Sequence, residues 1–103
     1  MRLLPEPIRF EWDAGNSLKN QALHGVSNQE AEEAYFGSDA FILDDPEHST
    51  VEKRYVLLGE TRAGRRLTAV FTLRHDRVRV ISARDMSRKE RRGYAAVKKN
   101  PTV

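Results

Sequence analysis

Between Leu67 and Arg84 the chain has few folding options. Leu67, Ala69, Phe71 and Leu73 alternate with Thr68, Val70, Thr72 and Arg74, the two-residue period of a strand with one buried face. His75-Asp76 then gives way to Val78-Arg79-Val80-Ile81-Ser82-Ala83-Arg84. So short a connection suits only antiparallel neighbours. Upstream, Tyr55-Val56-Leu57-Leu58 followed by the turn Thr61-Arg62-Ala63-Gly64 adds a third strand and makes a meander. Phe41-Ile42-Leu43 predicts one more short strand, and the alternation Ile8-Arg9-Phe10-Glu11-Trp12 predicts another.

Three helices are signalled around this sheet. The first runs over about Ser17–His24, with Leu18, Ala22 and Leu23 as its apolar side and Gly25 as a left-handed cap. Ser27 with Glu30 three residues on is a capping box, flanked by Val26 and Ala31, and it opens a helix whose stripe is Ala31, Ala34 and Tyr35. Ser87 with Glu90 is a second capping box, opening a helix to about Lys98 that is expected to pack through Met86, Tyr94 and Val97. The order β–α–α–β–β–β–β–α predicts an α+β fold: a small antiparallel meander with two N-terminal helices and one C-terminal helix. At 103 residues the chain is expected to be a single domain.

Composition narrows the chemistry. There is no cysteine, so disulfides and thiolate metal sites are excluded. His24, His48 and His75 are widely separated and lack metal-ligand spacing, so no metal or cofactor is expected. Asp44, Asp45, Glu47 and His48 read as a solvated acidic loop. No apolar run is long enough to span a bilayer, and the N-terminus has no signal-peptide pattern, so a cytoplasmic protein is expected. The net charge of +3 hides a split: residues 1–61 hold 5 basic and 12 acidic side chains, residues 62–103 hold 13 and 3. Arginine dominates the second half, and its planar fork matches phosphate. A polyanionic partner is expected, either nucleic acid or an acidic protein.

The helix–Gly25-Val26-Ser27–helix segment has the turn of a helix-turn-helix. Its second helix, however, carries Glu30, Glu32 and Glu33 and no cation, the reverse of what a phosphate-facing recognition helix needs. Chemistry that fits the remaining residues is RNA cleavage. RNA supplies its own 2′-hydroxyl nucleophile, so only a base, an acid and cations are required. Arg65, Arg74, Arg84, Lys89 and Arg92 offer the charge; His24, Glu52, His75, Glu90 and Tyr94 are the titratable candidates. The alternative is a non-catalytic basic module that binds nucleic acid or an acidic partner protein.

A family resemblance joins these pieces. Phe10-Glu11-Trp12-Asp13, Gly15-Asn16 and Lys19-Asn20 open it, and His24-Gly25-Val26-Ser27 with Glu30-Ala31 continues it. Asp45-Pro46-Glu47-His48-Ser49, Glu52, Arg54-Tyr55, Gly59 and Gly64-Arg65 follow. Val70-Phe71-Thr72 with Arg74, Val80-Ile81-Ser82-Ala83-Arg84, Ser87-Arg88-Lys89-Glu90-Arg91-Arg92 and Tyr94 close it. Over about residues 8–95 the chain resembles the BrnT toxins of bacterial type II toxin–antitoxin systems. The resemblance implies a RelE-like fold, a ribonuclease that arrests growth, and a cognate DNA-binding antitoxin through which operator DNA is reached. It also implies roles. Arg84 and Arg74 lie at strand ends of the RNA-facing sheet, Arg84 and Arg65 hold the scissile phosphate, and His24 or Glu52 is the base. Lys89 and Tyr94, with Arg88 and Arg92, orient RNA or assist the leaving group. One departure stands out: the family usually has lysine before the His-Gly pair, and this chain has Leu23. One exposed cationic face is expected to serve both RNA and antitoxin.

Overall fold

The computed structural model describes residues 4–49 and 51–99. Leu18, Lys19, Asn20 and His48, singled out above, have side chains outside that description, and Pro101 lies beyond it. The elements are α1 (Ser17–His24), α2 (Asn28–Tyr35), β1 (Phe41–Asp44), a single 3-10 turn (Pro46–His48), β2 (Tyr55–Glu60), β3 (Arg66–Arg74), β4 (Arg77–Asp85) and α3 (Arg88–Lys99). The four strands form one antiparallel sheet in the order β1-β2-β3-β4. The α+β reading holds, with all three expected helices in place.

The hairpin follows its alternation. Leu67, Ala69 and Phe71 are buried on one face, and His75 and Asp76 both take positive φ, 50° and 61°, the geometry whose twist matches the strands it joins. Ile81 is an extra residue in β4, where the register shifts between Val70 and Phe71; such a bulge bends the strand and increases its twist.

Both faces of the sheet are covered, unequally. On one, α2 buries Ala31, Ala34 and Tyr35 with Leu57, Ala69, Phe71, Val78 and Val80. Tyr35 meets Phe71 edge-on at 5.4 Å and Phe10 at 5.2 Å. On the other, α3 and the segment just before it place Tyr94 and Met86 on Leu58, with Phe41 and Val56 alongside. The Phe41 and Tyr94 rings stack at 6.0 Å.

Three expectations are corrected. Residues 8–12 do not form a strand: Phe10 makes one parallel bridge to Val78, through Val78 N–H to the Arg9 carbonyl (2.7 Å) and Glu11 N–H to the Val78 carbonyl (2.9 Å). The alternation is real, but it serves burial of Ile8, Phe10 and Trp12 against the core rather than a ladder. Ala22 and Leu23 of α1 are exposed, Leu23 by 65%, so α1 is held by its ends; Asn16, buried at its start, donates to the Glu11 and Val80 carbonyls at 3.0 Å each. Val97 is 43% exposed, so α3 docks through Met86 and Tyr94 alone of the three expected residues.

Gly59, named above only in the family resemblance, sits inside β2 against the backbone of α2. A Cβ there would lie 2.4 Å from the Ala34 carbonyl oxygen, closer than any side chain tolerates. Gly59→Ala should therefore destabilise the fold by about 1–3 kcal/mol through overpacking, lowering Tm by roughly 4–8 °C per kcal/mol. Gly93→Ala in α3, where a Cβ meets nothing within 4 Å, should instead stabilise by up to about 1 kcal/mol. Thermal denaturation of both variants checks this, and an unchanged Tm for Gly59→Ala would show that α2 can shift freely.

Candidate active site

Where β3 begins and β4 ends, the side chains follow from chain direction. Arg65 precedes β3, Asp85 closes β4, and the antiparallel register sets Leu67 opposite Asp85 and Thr68 opposite Arg84. Arg65 reaches across to α1 and α2. Its Nε donates to Asp85 Oδ1 (2.7 Å), Nη1 to the Gly25 carbonyl (2.9 Å) and Glu30 Oε2 (3.1 Å), and Nη2 to the His24 carbonyl and Asp85 Oδ2 (3.2 Å each). A guanidinium has five N–H donors, and all five are committed. In this structure Arg65 acts as a clamp, with every donor used inside the chain. It satisfies carbonyls at the end of α1 that the helix leaves orphaned, and so fixes the backbone of His24. The His24 side chain is exposed and close enough to Asp85 to help lower that carboxyl's pKa, the larger cause being the Arg65 hydrogen bond.

Arg84 is held differently. Its Nη1 and Nη2 grip Glu90 Oε1 (2.7 Å) and Oε2 (3.0 Å), and Nη1 also donates to the Asp85 carbonyl (3.2 Å). Its Nε–H and one Nη2–H have no partner among the described residues, and the side chain is 40% exposed. Glu90 is itself fixed by the Thr68 hydroxyl (2.9 Å) and by the α3 capping box, accepting from Ser87 N–H (2.8 Å) while Ser87 Oγ accepts from Glu90 N–H (3.1 Å). The Arg84 hydrogen bonds, opposed by burial, hold the Glu90 carboxyl down at about 2. Arg84 is thus rigidly aimed with spare donors.

The sites named from sequence do not all meet here. Arg74 pairs with Glu52 through Nε and Nη2 (3.2 and 3.1 Å). Arg74 lies six residues along β3 from Thr68, roughly 20 Å at ~3.3 Å per residue. The structure therefore separates Glu52 from Arg84 and Arg65, too far for one phosphate to be shared. Tyr94 is 1% exposed, with the Arg66 guanidinium 5.5 Å over its ring. Burial and the Glu60 carboxylate push its hydroxyl up to about 12, and its ring anchors α3 in the core. Arg88, Lys89 and Arg92 are exposed on the first turns of α3. His75 is exposed in its hairpin turn, far from Arg84.

Sequence reasoning passed over Asp85, Thr68, Arg91 and Arg79. A signal existed for the first: residues 62–103 contain only Asp76, Asp85 and Glu90 as acids, and the latter two hold the candidate arginines. Arg91 donates to the Met86 carbonyl (3.3 Å) and lines, with Gly64, Arg66 and Asp85, an open hollow of about 370 Å³ beside the cluster. Arg79 binds Glu11 and Asp13 (2.9 Å each) and ties the N-terminal segment to β4. Among the described residues no three His, Asp or Glu side chains group as metal ligands, and no helix is long and apolar enough to cross a membrane.

Residues 12–90, spanning both capping boxes and every candidate arginine except Arg92, match the family model described as the ribonuclease toxin BrnT of type II toxin–antitoxin systems. The chain belongs to this family. It is accordingly a ribonuclease toxin with an RNA substrate and an antitoxin partner. No curated protein matches it.

In this BrnT chain the Glu90 carboxylate is worth testing for stability on its own. Its folded pKa lies below its ordinary value, so its stabilising contribution is present above about pH 4.5 and fades as pH falls toward about 2. Glu90→Gln, which keeps acceptors for Thr68 and Ser87, should cost about 1–3 kcal/mol at pH 7, and the gap to wild type should shrink between pH 4.5 and 2. Urea unfolding across that range measures it; a gap independent of pH would rule out the Arg84 ion pair as its source.

Proposed function

We propose that the chain, acting as a single toxin domain in the cytoplasm, cleaves RNA without a metal ion at the Arg84 end of the sheet and so arrests growth. The ribose 2′-oxygen attacks the adjacent phosphorus, the P–O5′ bond breaks, and the products are a 2′,3′-cyclic phosphate and a 5′-hydroxyl. Arg84 supplies the two uncommitted N–H donors to the phosphoryl oxygens, where negative charge accumulates in the transition state. His24, whose backbone Arg65 clamps, takes the 2′-hydroxyl proton. Lys89, as its ammonium, gives a proton to the departing 5′-oxygen, which leaves as the 5′-hydroxyl, and Arg88 and Arg92 attract the neighbouring phosphates. Arg74 lies roughly 20 Å further along the same strand and contacts the RNA backbone there rather than the scissile bond. Glu52 is its partner and not the base. A DNA-binding antitoxin neutralises the toxin and carries it to operator DNA.

The observation that carries this reading is the rigid, half-open guanidinium of Arg84: bidentate on Glu90, 40% exposed, with donors to spare. Arg84→Ala should lower cleavage of labelled RNA in EDTA by about 10²–10³-fold and abolish growth arrest, with its circular dichroism unchanged. His24→Ala should lower cleavage by about 10²–10⁴-fold. Cyclic-phosphate ends from wild type support the mechanism. Salt-sensitive binding that leaves RNA intact would instead mark a non-catalytic basic module, and full activity of Arg84→Ala would displace the site.

A further inference from the structure

The acidic half of the chain builds a surface of its own, away from Arg84. Phe36, just past α2, is 63% exposed, although its ring still touches Phe10 edge-on at 6.3 Å. It forms a ridge between two depressions. On one side is an apolar groove of about 570 Å³, lined by Leu4, Pro5, Pro7, Ile8 and Ile42. On the other is a cleft of about 550 Å³ whose walls carry four carboxylates, Glu32, Glu33, Asp39 and Glu60, against one lining arginine, Arg62. Lys98 neutralises Glu60 (2.8 Å) and approaches Asp39 (4.0 Å). Glu32 and Glu33 are different. Glu32 accepts from the Trp12 indole N–H (2.6 Å), and Glu33 from the Arg62 backbone N–H (3.0 Å) and the Gln29 amide (3.2 Å). These donors are neutral, so among the described residues no cation pairs with either carboxylate.

We infer that this surface is where the antitoxin anchors: one of its segments inserts apolar side chains into the groove, straddles Phe36, and places Lys or Arg beside Glu32 and Glu33. An exposed aromatic between an apolar trough and uncompensated charge is the composition of a binding hot spot with a polar rim. The charge selects the occupant. Carboxylates repel RNA, so this face does not serve the substrate, and they attract a cationic peptide. A second copy of this chain is poorly matched, because the exposed cations of α3 have only Ala95, Ala96 and Val97 as apolar neighbours. The inference rests on the family's antitoxin partnership and not on the cleavage chemistry proposed above.

The test uses the full-length toxin and its cognate antitoxin in calorimetry at two salt concentrations. Phe36→Asp should weaken binding at least tenfold. The double variant Glu32→Gln, Glu33→Gln, which keeps acceptors for Trp12 and Arg62, should weaken binding and flatten its salt dependence. RNA cleavage by both variants, free of antitoxin, should equal wild type. Affinity within twofold of wild type for both would overturn the inference, as would loss of binding only on Arg84→Glu or Arg92→Glu. Light scattering supplies a further check: a toxin dimer dissolved by Phe36→Asp would assign the surface to a second copy and overturn it too. If wild type lacks ribonuclease activity yet binds antitoxin through Phe36, the cleavage mechanism fails and this inference stands.

Discussion

The Arg65 guanidinium is the constraint on which this end of the molecule depends. One side chain joins the C-terminus of α1, the capping glutamate of α2 and the last residue of β4. Exposed ion pairs are individually worth about 0–1 kcal/mol, so its importance is geometric rather than energetic. α1 offers almost no apolar face of its own among its described side chains, and without Arg65 its last carbonyls would face solvent and His24 would have no fixed position. Lysine at this position could not replace it, since three donors on a flexible stem cannot meet five acceptors in one plane.

The same pattern explains the uneven charge along the sequence. Five of the twelve acids of the first half are held by arginines of the second: Glu30 on Arg65, Glu52 on Arg74, Glu11 and Asp13 on Arg79, and Glu60 on Arg66, with Lys98 also on Glu60. A split that reads in sequence as a cationic surface and an anionic one is, in the fold, partly a seam between the two halves. Among the charges left at the surface are half of Arg84, the first turns of α3, and the two glutamates of α2 that only neutral donors reach.

This seam marks the limit of what the sequence discloses. The hairpin, both capping boxes and the α2 stripe are local signals, decided by spacings of two to four residues, and the structure reproduces them. Residues 8–12 as a strand and the apolar side expected of α1 fail because their fate is tertiary: the first is a buried strip beside β4 with one bridge, the second belongs to a helix tethered at its ends. The candidate arginines are exposed or half-exposed cations, yet the division of labour of Arg65 and Arg74 depends on partners 20 to 41 positions away, which no local pattern contains. Gly59 is similar, since its need for a bare backbone comes from Ala34 on another element.

Separating Arg74 and Glu52 from Arg84 also changes what kind of site the sheet can offer. Five catalytic side chains in one pocket would suggest a compact acid–base machine. The observed arrangement has a short-range group at one end and a lone bidentate pair roughly 20 Å away, which suits an extended strand better than a single nucleotide. In the proposed mechanism an RNA chain lying along β3 meets Arg84 and Arg74 in succession, and positioning over several phosphates adds to the local chemistry. An inhibitor anchored at Phe36 need not imitate that strand. It needs only to hold a further segment over Arg84, and the anchor raises the effective concentration of that segment. The cation end can then remain shaped for the phosphate, because affinity for the protein partner is built elsewhere.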